Sequence, residues 1–152
     1  MSQEKMLGEA IHIATVAHHG QYDKSGKPYI LHPLHLMHQL MFDLELAQIA
    51  VLHDTIEDSR FITASYLQAK GFTTRVIEGV TLLTHKEEPY DVYIEGMCNN
   101  YDCIRVKRKD LGHNSDITRL KGITEKDLAR MAKYHRAFTR LGEAKRAFVG
   151  RL

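Results

Sequence analysis

Residues 50–59 read "AVLHDTIEDS". The stretch begins as the apolar middle of a helix and then sets four ionisable side chains, His53, Asp54, Glu57 and Asp58, close together. On a helix, positions four apart share a face. A helix through this stretch therefore places His53 above Glu57 and Asp54 above Asp58. Neighbouring positions are about 100° apart, so the pairs form adjacent stripes. Unpaired carboxylates are too costly to bury on a core helix. A divalent cation would neutralise them, and imidazole with carboxylate suits Mn, Fe, Ni or Zn. A plainer alternative stands beside this one: "EDS" is the polar finish of a buried helix.

Working outward, the whole chain reads as helix. "LELAQIAVLHDTIED" is apolar almost all round and is expected as one central helix. Before it, "EKMLGEAIHIATVAHHG" carries apolar residues near helical period, with Gly20 as a stop. "QYDKSGKP" is a polar loop broken by Gly26 and Pro28. Pro33 fits the first turn of a second helix running to about Phe42. Thr63 and Gly71 bracket "ASYLQAK", and Thr73 or Thr74 can cap "RVIEGVTLLT". "YDVYIEGMCNN" and "YDCIRVKRKDLGHNSDITRL" give two further helices, the second weakened at Gly112 by roughly 1 kcal/mol. Thr124 opens the last, a basic amphipathic segment expected to close the bundle rather than to contact nucleic acid. Strand-like alternation, repeats and linkers are absent. The expectation is an all-α fold, residues 1–152 forming one compact domain of roughly seven to ten helices.

Composition narrows the functional classes. The 152 residues are 43% hydrophobic and 26% charged, with a net charge of +2. This is an ordinary globular balance, without the concentrated cationic face that nucleic-acid binding needs. No apolar run approaches the roughly 20 residues of a membrane span, and the start has no signal-peptide character. Cys98 and Cys103 lack metal-type spacing, which points to two reduced thiols in a cytoplasmic protein. A homo-oligomer is compatible with the sequence.

A ligand pair is not a complete metal site. "YILHPLHLMHQ" puts His32 just before Pro33, at the mouth of a helix, and His35 and His38 follow at helical spacing. "VKRKDLGHNSD" offers Asp110, with Asn114 one turn on. Singly, His32 reads as a capping or packing residue and Asp110 as a solvated ion-pair partner. Composition does not choose among the three histidines.

In order, "AHHGQYDKSGKPYILHPL", "AVLHDTIED" and "VKRKDLGHNSD" resemble the hydrolase domain of the RelA/SpoT family. The likeness covers roughly residues 7–120. It is strongest to the small stand-alone alarmone hydrolases, metazoan SpoT homologues among them, which are HD-domain metal-dependent phosphohydrolases. The resemblance implies one metal, typically Mn²⁺, on His32, His53, Asp54 and Asp110. It implies Glu57 and Asp58 in water activation, and Lys24, Ser25 and Asn114 in nucleotide binding. The implied reaction removes pyrophosphate from the 3′ position of ppGpp or pppGpp. A synthetase domain is not expected within this length.

Two positions depart from the family pattern. Asp23 stands where an Arg that stacks on guanine is common, and a carboxylate cannot make that contact. On this reading guanine specificity is weakened, and Asp23→Arg would lower KM. Gly112 stands where an apolar residue is common, which is expected to alter the pocket's shape. Three alternatives therefore remain. One is a phosphatase acting on another 3′- or 2′-phosphorylated nucleotide, an adenine alarmone or NADPH included. The others are a non-catalytic nucleotide-binding module and a nucleic-acid-binding helical domain.

Overall fold

Helix α3 (Leu44–Leu52) is the axis of the fold. Every residue from Leu46 to Leu52 is buried. In the computed structural model, which describes residues 1–151, α1 (Gln3–Ala17), α2 (Leu31–Gln39), α6 (Thr74–Leu83) and α8 (Tyr101–Asn114) pack directly around it. Short helices α4 (Thr55–Asp58), α5 (Ala64–Ala69) and α7 (Tyr90–Gly96) fill the remaining corners. A 3₁₀ turn (Ile117–Arg119) leads to the long α9 (Glu125–Val149). No strand occurs among the described residues, and none of their helices is long and apolar enough to cross a membrane. The all-α expectation holds.

Local chemistry sets most boundaries. Thr63, Thr73 and Asn100 accept backbone N–H bonds at the starts of α5, α6 and α8. Thr124 and Asp127 form a reciprocal capping box on α9. The second helix stops at Gln39, short of the expected Phe42, because Leu40 leaves helical geometry. At Gly79, α6 lies so close to α3 that an added Cβ would sit 2.7 Å from Ile49 Cδ1. Arg75 of α6 fastens three element starts, reaching Asp43 (2.6 Å), Glu45 (3.0 Å) and Asp102 (2.8 Å). α9 buries Ala137, Leu141 and Ala144 and packs on α8, so the basic amphipathic segment does close the bundle.

The expected continuous helix over "LELAQIAVLHDTIED" is broken. α3 ends at Leu52, α4 starts at Thr55, and Asp54 sits at φ −103°, ψ 0°. Two side chains compete for the carbonyls there. His53 Nδ1 lies 2.7 Å from the Ala50 carbonyl oxygen, and Thr55 Oγ1 donates to Leu52 O at 2.7 Å. The break separates what a straight helix would align: His53 turns into the core, while Glu57 and Asp58 face outward.

Candidate metal centre and catalytic cleft

His32 from α2, His53 at the end of α3 and Asp110 from α8 converge in the interior. One ligand atom from each lies within 4.8 Å of the others, and all three residues are buried. His32 Nε2 is 2.8 Å and His53 Nε2 3.5 Å from Asp110 Oδ1. Asp54 joins through His53, its Oδ2 3.0 Å from the same Nε2. Tyr29 donates its hydroxyl to that oxygen.

The donor chemistry fits a divalent metal. A carbonyl oxygen only accepts, so His53 donates from Nδ1 to Ala50, which leaves Nε2 as the ring atom turned toward two carboxylates. This buried Nε2 has no properly directed hydrogen bond, despite the short distances. Burial alone would depress His53, but Asp54 and Asp110 outweigh it and hold the imidazole well above its usual range. Burial pushes Asp110 up, but Lys107, His32 and His53 hold it well below the carboxylate range. Such a site wants a cation, either a proton or a metal. His32 repeats the arrangement when its Nδ1 donates to His113 Nδ1, 2.7 Å away.

A cleft opens above the cluster. One lobe of about 310 Å³ is lined by Asp54, Glu57, Asp58, His85, Lys107 and Lys133, among others. A second of about 310 Å³ is lined by Tyr22, Asp23, Lys24, Ser25, Arg119 and Arg130. Tyr29, Asn114 and Tyr134 line both. The paired acids have different surroundings. Desolvation, Asp54 and Asp58 push Glu57 above the ordinary glutamate value, against the His85 backbone N–H that it accepts. Asp58 is held sideways, accepting from Gln21 Nε2 at 3.0 Å, and Gln21 in turn meets His18 Nδ1 at 2.9 Å.

The sequence-predicted nucleotide residues gather around the second lobe. Lys24 is exposed, its Nζ 3.8 Å from Asp127. Ser25 is buried and spends its hydroxyl on the Arg119 carbonyl. Asn114 donates to Asp110 Oδ1 at 2.9 Å and accepts from Arg119 Nη1 at 3.3 Å, tying the cluster to this lobe. Asp23 is the hub of its loop, with Oδ1 accepting from the Ser25 and Lys27 amides at 2.9 Å each. Gly112 lies on the other face of α8 and lines neither lobe, so it does not shape this cleft.

Several lining residues escaped the sequence reading. Lys107, in the basic run "VKRKD", meets Asp110 Oδ2 at 2.7 Å; its three-residue spacing from Asp110 was the available signal. Tyr29 adjoins the His32 motif, yet nothing in sequence joins it to Asp54. Arg119, Lys133 and Tyr134 arrive from the 3₁₀ turn and α9, and no motif marks them.

No protein-family model matches the chain. It is similar to three bacterial relatives of the RelA/SpoT type. The bifunctional (p)ppGpp synthase/hydrolase SpoT of Escherichia coli is 31% identical over 125 residues, 74% of this chain and 18% of that protein. The guanosine-3′,5′-bis(diphosphate) 3′-pyrophosphohydrolase of Haemophilus influenzae is 32% identical over 115 residues, 67% of this chain and 17% of that protein. The protein of the same description in Vibrio cholerae is 42% identical over 86 residues, 53% of this chain and 12% of that protein. The chain thus spans less than a fifth of the length of these relatives. Over the residues these matches cover, the chain belongs to the RelA/SpoT-type hydrolase family.

Proposed function

We propose that residues 1–152 form one HD-type phosphohydrolase domain that removes pyrophosphate from the 3′ position of (p)ppGpp-like nucleotides. The products are pyrophosphate and a guanosine 5′-di- or triphosphate. The observation that carries the proposal is the buried His32–His53–Asp110 cluster, which reaches through Asp110 into a cleft lined by carboxylates together with Lys107 and Lys133. The relatives' printed activities support the substrate class. His32, His53, Asp54 and Asp110 would hold one metal ion, Mn²⁺ being our choice among first-row metals. When bound, the metal supplies a Lewis acid for a phosphoryl oxygen and lowers the pKa of water.

The chain's own groups do the rest. Glu57 takes the proton of the attacking water, its raised pKa bringing it nearer the working pH. Asp58, held by Gln21, orients that water. Lys107 and Lys133 balance the charge of the leaving pyrophosphate, while Lys24, Arg119 and Arg130 balance the other phosphates. Asn114, between the lobes, faces the ribose. A cytoplasmic setting suits the two buried free thiols.

One observation keeps a second reading open. Asp23 is committed to its loop and offers the base no cation, so another 3′- or 2′-phosphorylated nucleotide also suits the cleft. The test is a panel of 3′-pyrophosphorylated guanine and adenine nucleotides plus NADPH, assayed with Mn²⁺. We expect pyrophosphate from the 3′-pyrophosphates; release of orthophosphate from NADPH alone would replace the first reading with the second.

A further inference from the structure

The face of α8 that points away from the cleft carries its own cavity. Arg105, Arg108, Lys109 and Gly112 recur there at helical spacing, about half a turn from Lys107, Asp110 and Asn114. With Lys145 of α9 they border a groove of about 610 Å³. Among the described residues, Arg108, Lys109 and Lys145 form no ion pair with a carboxylate. Arg105 is paired with Asp102 at 2.8 Å, and one acid, Asp116, lines the groove. A Cβ on Gly142 would lie 3.7 Å from Arg146 Nη1 and 3.8 Å from Arg108 Nη2, so a second guanidinium converges on Arg108. The buried Nε of Arg108 has no hydrogen-bond partner.

Like charges gathered with too few counter-charges repel, and an anion relieves them. The groove also has aromatic walls. Phe138 lies under the Arg108 guanidinium at 4.4 Å, and Phe42 is 73% exposed at the rim. At Gly112 an added Cβ would meet nothing within 4 Å, so the bare glycine keeps the groove open. Cations beside an exposed ring, Phe42, and a partly buried one, Phe138, match a ligand that joins several phosphates to a planar base. We propose that this groove, across α8 from the catalytic cleft and meeting it at Asp116, is a second nucleotide site that takes a nucleoside polyphosphate. The phosphates rest on Arg108, Lys109 and Lys145, and the base lies against Phe42 and Phe138.

GTP and inorganic triphosphate, neither carrying a 3′-phosphate, serve as probes in calorimetric titration of the full metal-loaded chain. Gly112→Leu fills the groove and improves helix propensity; Lys145→Glu reverses one charge without touching the core. Lys24→Glu reports on the catalytic cleft, which can also take GTP as a product, and Lys126→Glu, exposed and outside both cavities, is the control. The expected result is GTP binding with Kd below about 1 mM. Gly112→Leu and Lys145→Glu should each weaken one GTP binding event by about tenfold or more, an event that Lys24→Glu does not weaken and Lys126→Glu leaves unchanged. Inorganic triphosphate should bind the same groove more weakly, lacking a base. Should Gly112→Leu fail to fold in a melt, Lys145→Glu decides alone. Three results overturn the proposal: no GTP binding, binding unchanged in the groove variants, or binding abolished only by Lys24→Glu. Capture of single-stranded oligonucleotide without GTP binding would overturn it in favour of a nucleic-acid surface.

Discussion

Glu57 and Asp58 are neighbours in sequence with different work to do. Glu57 faces the cleft, where partial desolvation and the nearby Asp54 and Asp58 raise its carboxyl. Asp58 is tied to Gln21. Glu57→Gln removes a proton acceptor without touching the buried cluster. It should keep its metal and lose about 10²-fold or more in kcat, measured by steady-state turnover alongside metal analysis. A raised base must still be deprotonated to work. The acid limb of kcat should therefore lie above the ordinary glutamate value of about 4.3. A rate within a few-fold of the parent would move the base elsewhere. At Asp23, structure reverses the expectation drawn from sequence. Its carboxylate holds two loop amides, so Asp23→Arg removes the anchor and should raise KM for ppGpp, whereas Asp23→Asn keeps an acceptor and stays near the parent. Substrate titrations of the two variants separate these outcomes. His53 and Asp54 could be picked out from residue type and helical spacing, whereas Asp110 came only from the resemblance. Tyr29 and Arg119 could not, because only tertiary approach brings them to Asp54 and Asn114.

At the scale of elements, Arg75 pins α6 to the starts of α3 and α8. Burial raises Asp43 and Asp102, but their hydrogen bonds to Arg75 outweigh it and lower both. Depressed carboxylates stabilise the fold above their unfolded values of about 3.9 and lose that contribution as pH falls through the lowered folded values. Arg75 is about one-third exposed, so solvent screens the network, and Arg75→Ala should cost about 1–2 kcal/mol at neutral pH. That difference should shrink below about pH 3.9, measured by urea unfolding at the two pH values. An equal loss at both would show that packing, not charge, holds α6. Caps made the helix starts legible: Thr63, Thr73 and Thr124 each hold the helix expected of them. The interruption after Leu52 was not legible, because periodicity cannot show that His53 and Thr55 will take backbone carbonyls. That interruption turns His53 into the core and leaves Asp54, Glu57 and Asp58 on the cleft.

Over the whole molecule, the candidate ligands tie α2, the end of α3 and α8 together. All-α class and the central position of α3 followed from apolar pattern alone. The outer groove on α8 did not, since a basic run reads the same whether it faces solvent, a cleft or an anion site. A bound metal would stabilise the folded chain by mass action, because the unfolded chain holds no preformed site. It must displace the proton that His53 otherwise keeps, so uptake should strengthen as pH rises. The most direct test is metal content by elemental analysis joined to a thermal melt with and without chelator, on the parent and on His53→Ala and Asp110→Ala. One transition metal per chain, lost in both variants, with chelation lowering the parent's Tm by about 5–10 °C, is the predicted result. Unchanged metal content in the variants, or a parent melt indifferent to chelator, would contradict it.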